Sequence, residues 1–184
     1  MKRMFDIVLS LAALILASPV LLAAAIAIAA ESGRPVLFRQ LRVGLDGREF
    51  WMYKFRSMVK NAAAIGPYHT AAGDARITRV GAVLRRTSVD ELPQLLNVLN
   101  GDMSLVGPRP DVPAQRALYT EQDWVQRCTV RPGITGLAQA LLRSEATPEQ
   151  RLALDLRYAH EHSLWLDLRI LAWTIGRVSG RGSN

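Results

Sequence analysis

Asp90 and Glu91 are adjacent carboxylates in the run Asp90-Glu91-Leu92-Pro93-Gln94. Pro93 has no backbone N–H, and a helix tolerates it only in the first turn, where that donor has no intrahelical partner. The spacing predicts a helix starting near Asp90, with Asp90 or its close neighbour at the cap. A carboxylate there feels the positive helix end and free backbone donors, so it stays ionised. The same place attracts an anionic phosphate. Ordinary capping by acidic residues is the plain alternative. Arg85 lies just upstream, and Arg109 sits in Gly107-Pro108-Arg109-Pro110, a rigid loop that would hold a guanidinium in one place. Arginine suits a bidentate grip on phosphate oxygens. Two basic segments around an acidic dyad point to chemistry on a phosphate-bearing substrate, provided that they converge.

Other site types find little support. There is no GxxxxGK[ST] phosphate loop, no GxGxxG opening a helix and no GxSxG elbow. His160 and His162, two apart, fall on different helix faces, and with His69 they form no metal-ligand pattern. The single Cys128 excludes an internal disulfide framework; it reads as a small buried hydrophobe. The net charge is +7, which suits anionic partners such as phospholipid headgroups, nucleotides or phosphorylated lipids. The arginines are spread out and not interleaved with aromatics, so no nucleic-acid face is expected.

The dyad must be positioned near a membrane. No charged residue occurs from Ile7 to Ala30. As one helix this run would reach ~36 Å, enough to cross a ~30 Å hydrocarbon core. A cleaved signal peptide fits less well, because charged, structured-looking sequence follows. Ser18-Pro19 falls in the middle, and Pro19 must kink or break the helix there. Either half alone, at roughly 20 Å, is too short to cross. Both flanks are basic: Lys2 and Arg3 before, Arg34, Arg39 and Arg42 after. The positive-inside rule puts both in the cytoplasm. A re-entrant hairpin satisfies these facts, with the freed Ile15 carbonyl met by the Ser18 hydroxyl or water. A kinked spanning helix stays open on the residues alone.

Downstream, Val36 to Arg42 and Glu49 to Phe55 read as strands of a β-hairpin around Gly44-Leu45-Asp46-Gly47. Met58 to Ala75 reads as a helical start and then a mobile loop, a candidate lid over a donor substrate. Val80 to Arg86 is a short helix. Glu91 to Leu99 is helical and stops at Asn100-Gly101. Ser104 to Val112 reads as an irregular loop and Arg131-Pro132-Gly133 as a turn. Thr147-Pro148-Glu149-Gln150 is a capping box opening a helix to about His160. Leu164 to Val178 is a second, basic and apolar helix, with Trp165 and Trp173 on nearly one face. It suits a membrane surface or ordinary core packing. The fold class is therefore α+β and mostly helical.

Several stretches together resemble the small monotopic phosphoglycosyl transferases of the bacterial sugar transferase family. They are Phe38-Arg39-Gln40 with Arg42-Val43-Gly44, Tyr53-Lys54-Phe55-Arg56-Ser57-Met58, and Asp74-Ala75-Arg76-Ile77-Thr78-Arg79-Val80-Gly81. Asp90-Glu91-Leu92-Pro93-Gln94 and Gly101-Asp102-Met103-Ser104-Leu105-Val106-Gly107-Pro108-Arg109-Pro110 follow, then Arg131-Pro132-Gly133-Ile134-Thr135-Gly136 and Asp155-x-x-Tyr158 with Ser163 and Asp167. The likeness runs in order through nearly the whole chain. Ala82 departs from the basic residue often found there, with no consequence for catalysis. The chain looks like the family's minimal catalytic form, without the extra N-terminal membrane domain of larger relatives.

The resemblance implies a re-entrant membrane helix-break-helix over 1–33, broken at Ser18-Pro19, and an interfacial catalytic unit over 34–184 with surface amphipathic helices around its active site. It implies a monotopic enzyme on the cytoplasmic face of the bacterial inner membrane. Asp90 would be the nucleophile and Glu91 its partner, with Mg²⁺ required. Glu91 is the first choice of metal ligand and Asp155 a second. Arg85 and Arg109 are expected near phosphate groups. Lys54, Arg56 and Arg131 are further candidates for phosphate or substrate binding. The implied reaction takes a phospho-sugar from a UDP-sugar to polyprenyl (undecaprenyl) phosphate in two steps, as the first membrane step of glycoconjugate synthesis. A second copy of the chain and downstream glycosyltransferases are candidate protein partners. The competing reading is a non-catalytic, membrane-anchored module that binds anionic lipids or recruits partners. Neither the sugar nor the polyprenyl length is legible; Leu137 to Ser144 is a candidate for specificity.

Overall fold

A computed structural model describes residues 1–66, 74–142 and 147–178. It is mostly helical, with two small two-stranded sheets. Helix α1 (Lys2–Ser32) carries the apolar run and is long and apolar enough to cross a membrane. Its exposed residues include Leu11, Ile15, Leu16, Val20, Leu22 and Ile26. A helix that shows so much hydrocarbon needs an apolar surrounding to stay stable. Pro19 lies inside α1, which continues through it as one helix rather than two separated by a break. The physical reason is local: proline removes a single donor, and the Ser18 hydroxyl donates to the orphaned Ile15 carbonyl at 2.8 Å.

Both ends of α1 rest on the same globular body. At the start, Arg3 donates to the Val98 and Leu99 carbonyls. Asp6, 2% exposed, accepts from the Ser104 hydroxyl at 2.9 Å and the Leu105 N–H at 3.2 Å. Lys2 pairs with buried Asp167. At the end, Ala24 and Ile28 pack against Phe55 and Leu84. The guanidinium of Arg56 donates to the Ser32, Gly33 and Pro35 carbonyls, so it closes the helix C-terminus.

Strands β1 (Leu37–Val43) and β2 (Glu49–Phe55) pair antiparallel, in register from Leu37 with Phe55 to Val43 with Glu49. Alternation puts Phe50, Met52 and Lys54 on one face and Trp51 and Tyr53 on the other. A short helix α2 (Ala62–Ile65) follows; of the candidate lid, Met58 to Ala75, residues 67–73 lie outside the described residues. Next come α3 (Arg79–Arg86), a one-turn 3₁₀ segment at Val89–Glu91 and α4 (Gln94–Asn100). Gly101, at φ 95°, ends α4 as the left-handed residue that a helix stop favours.

Strands β3 (Ser104–Val106) and β4 (Gly133–Thr135) lie where a loop and a turn are expected from sequence. They pair in parallel, Ser104 with Gly133 and Val106 with Thr135. Runs of three residues between prolines and glycines carry too little periodicity to read as strands. The pairing is tight: a Cβ on Gly107 would meet the Arg131 carbonyl at 2.2 Å, and one on Gly133 the Gly107 nitrogen at 2.1 Å. Helix α5 (Glu121–Arg127), α6 (Leu137–Leu141), α7 (Pro148–Glu161) and α8 (Leu164–Val178) complete the fold. The capping box at Thr147 and Gln150 is formed. On α8, Trp165 is exposed, whereas Trp173 packs partly into the core under Arg169.

The main core gathers Met52, Leu95, Val98, Met103, Val106, Tyr158 and Ile170. Within it Asn97 joins α4 to β2. Its side-chain amide donates to the Trp51 carbonyl at 2.7 Å and its oxygen accepts from the Tyr53 N–H at 3.0 Å. Asn97→Ala strands both backbone groups and is expected to destabilise the protein by about 2–4 kcal/mol. A lowered thermal unfolding midpoint in detergent micelles checks this; an unchanged midpoint refutes it.

Candidate active site

The chain reverses sharply between α3 and the dyad. Ser88 adopts φ 57°, a left-handed conformation uncommon outside glycine. This delivers Asp90 and Glu91 into the 3₁₀ turn. They do not cap α4, whose N-cap is Pro93. Here the expectation of a dyad at the helix cap is corrected: Pro93 starts the helix later, and the left-handed Ser88 shapes the turn before it.

Asp90 is buried at 8% exposure. Burial raises its pKa above the ordinary aspartate value, Glu91 raises it further, and Lys54 and Arg85 pull it down only in part. So the helix end does not dominate as expected from sequence; desolvation does. Glu91 behaves oppositely. Burial pulls it up, but Arg109 and Lys54 outweigh that and leave its pKa lowered. Both cations converge on one oxygen: Lys54 Nζ lies 2.7 Å and Arg109 Nη2 3.1 Å from Glu91 Oε1. Burial in turn lowers the Lys54 pKa, with Glu91 offsetting part of it.

The Arg109 loop is held from behind. Arg127, on α5, donates to the Arg109 carbonyl at 2.6 Å. Its guanidinium also meets Asp111 at 2.7 Å and Asp155 at 3.0 Å. Arg42, on β1, donates to the Pro110 carbonyl at 2.7 Å. Across β3–β4, the Gly107 N–H donates to Thr135 and the Gly133 N–H to Pro108. A small cleft beside the dyad is lined by Arg42, Met52, Lys54, Gln94, Arg109 and Ile134. A larger cavity, about 460 Å³, opens elsewhere, between the β1–β2 turn and α5, and includes neither dyad residue.

Of the residues proposed from sequence, Lys54 and Arg109 pair with Glu91, and the charge of Arg85 lowers the Asp90 pKa. Arg56 sits at the end of α1, with Nη1 and Nη2 donating to backbone carbonyls and the Ser32 hydroxyl there. Arg131 donates to the Gly101 carbonyl at 2.9 Å, tying two loops together. Asp155 is held by Arg127, and its pKa is raised to about 6 because burial and nearby Asp111 outweigh the one guanidinium they share. Asp111 and Arg127 carry no motif signal; only tertiary packing brings them here.

For Mg²⁺, the donor set is two neighbouring carboxylates. Among the described residues no group of three or more His, Cys, Asp or Glu side chains could hold a metal. Mg²⁺ is commonly held by one or two carboxylates plus substrate phosphates and water, so Asp90 and Glu91 fit that mode and a fully protein-made cage does not.

A family model for bacterial sugar transferases matches residues 1–181. The chain belongs to the bacterial sugar transferase family. Among relatives of this chain, the UDP-glucose:undecaprenyl-phosphate glucose-1-phosphate transferase of Xanthomonas campestris pv. campestris is 45% identical over 98% of this chain, which spans 39% of that relative's length. The UDP-N-acetylgalactosamine-undecaprenyl-phosphate N-acetylgalactosaminephosphotransferase of Aeromonas hydrophila is 44% identical over 96% of the chain and 43% of its own. The exopolysaccharide production protein PSS of Rhizobium leguminosarum bv. phaseoli is 46% identical over 99% of the chain and 96% of its own.

If the transferase needs Asp90 ionised, activity falls as pH drops through its raised pKa. Lys54→Met removes a charge that lowers that pKa, so the acidic limb of kcat/KM should move to higher pH. An unmoved limb would separate Lys54 from the dyad.

Proposed function

We propose that this protein transfers a phospho-sugar from a UDP-sugar to polyprenyl phosphate at the membrane surface. The observation that carries the reading is the buried Asp90 beside a glutamate whose charge is balanced by Lys54 and Arg109. The names of the two curated relatives that state a reaction pair a UDP-sugar with undecaprenyl phosphate, and their sugars differ. The family likeness therefore leaves the sugar open.

In the first step an Asp90 oxygen attacks the phosphorus that carries the sugar. The P–O bond to the uridine-bearing phosphate breaks, UMP leaves, and an aspartyl-phosphate sugar remains. In the second, an oxygen of polyprenyl phosphate attacks the same phosphorus. The bond to Asp90 breaks and the carboxylate is restored. A carboxylate is a modest nucleophile but a good leaving group, so one site serves a soluble donor and a lipid acceptor in turn. Arg85 and Arg109 grip the phosphate oxygens. Lys54 keeps positive charge at the dyad. Glu91, with Asp90 beside it, would hold Mg²⁺, which would supply neutralisation of charge on the transferring phosphoryl. A module that only bound lipid would have no need of a buried aspartate beside a glutamate with this countercharge.

The membrane placement is re-entrant and cytoplasmic in this reading. Its support is the docking of both ends of α1 on one globular body, since a spanning helix would put those ends on opposite sides of the bilayer. Basic residues at both flanks agree.

Asp90→Asn should lower UMP release from UDP-sugars by at least ~10³-fold, and mass spectrometry of wild-type protein quenched in turnover should map a sugar-phosphate adduct to Asp90. Equal UMP release by both forms would refute the nucleophile. For topology, single cysteines inserted after Met1 and replacing Arg34 should both react with a membrane-impermeant maleimide from the cytoplasmic side only. Labelling of the two from opposite sides would mean a spanning helix.

A further inference from the structure

Glu31 is the first charged residue after the apolar run of α1. Its carboxylate reaches across to α3, a distant segment in sequence. Oε1 accepts from the Arg79 N–H at 2.8 Å and Oε2 from the Val80 N–H at 3.0 Å. Thr78, the local N-cap, takes the Gly81 N–H at 2.9 Å, and its hydroxyl also bonds the Glu31 carboxylate. The first turn of α3 is thus capped jointly by its own threonine and by the membrane helix. Val80 and Leu84, one turn apart on α3, pack in the same cluster as Ala24 and Ile28 of α1. Arg85 stands in the last turn of this helix, and its carbonyl accepts from the Ser88 N–H at 3.3 Å where the chain turns into the Asp90 segment; its charge lowers the Asp90 pKa.

A two-turn helix is stiff, so fixing its first turn fixes its last. The other end of α1 is itself locked, by Asp6 on Ser104 and Leu105. α1 therefore offers a firm seat from which to hold α3.

We propose that Glu31 is a positioning residue for the transfer: by capping α3 from the membrane helix, it holds Arg85 against the Asp90 site. This rests on the two-step reading above, in which Arg85 grips the substrate phosphates. It goes beyond that reading in making the helix that enters the lipid a direct determinant of active-site geometry.

A double-mutant cycle tests it with full-length protein in nanodiscs, reading kcat/KM by UMP release. Glu31→Ala should cost about tenfold alone and little in an Arg85→Lys background, while it remains additive with Arg109→Lys. Glu31→Gln, which keeps one acceptor oxygen, should recover part of the loss. Additivity with Arg85→Lys, or equal coupling to both arginines, would overturn the proposal. An activity-independent reading keeps the two ideas apart. Spin labels at the exposed positions Ala82 and Val125, in a Cys128→Ala background, should give a distance distribution that broadens on Glu31→Ala. An unchanged distribution refutes the clamp even if the enzyme reading stands. Broadening with no UMP release by wild type would keep the clamp and remove the function.

Discussion

Placing a buried carboxylate beside a partly buried one is costly, and the structure meets that cost by setting cations around the second. Glu91 carries the countercharge of both Lys54 and Arg109. Asp90, beside it, receives only partial compensation and titrates high. The pair is thereby split into a fixed anion and a group whose ionisation is easily tuned. That asymmetry requires a strand and a loop from different parts of the chain to meet at one 3₁₀ turn. Much of the fold serves this meeting. The β1–β2 hairpin supplies Lys54, the parallel β3–β4 pair launches the Arg109 loop, and Arg127 holds that loop's carbonyl.

The secondary structure was legible where physics is local. The capping box at Thr147, the stop at Gly101 and the two strands of the hairpin follow from residue types at short range. The Ser18 hydroxyl under Pro19 follows in the same way. What could not be read is long-range or conformational. Strands β3 and β4 are too short to carry a period, and only their mutual pairing makes them strands. The positive φ of Ser88 has no compositional marker, because serine is not a left-handed specialist. It moves the dyad out of the helix cap and into the turn.

The site was legible in its acids and in its two arginine motifs, because Asp90, Glu91, Arg85 and Arg109 stand beside proline or in short basic runs. Their supports were not. Arg127 and Asp111 are ordinary charged residues in sequence and become meaningful only when buried together. Arg56 shows the reverse failure. It sits in a suggestive Lys-Phe-Arg run, yet Arg56 lies one residue past the end of β2, and its guanidinium turns to the end of α1 while Lys54, on the strand, reaches the dyad.

The ion pair between Lys2 and Asp167 joins residues 165 apart in the chain. During synthesis the N-terminal helix leaves the ribosome long before its anchor exists. An exposed hydrocarbon helix cannot wait in water for that partner. Lipid or a chaperone must shelter it first, and the globular body then assembles onto a helix already in place. The order of translation thus makes whatever shelters the helix a part of the folding of this protein.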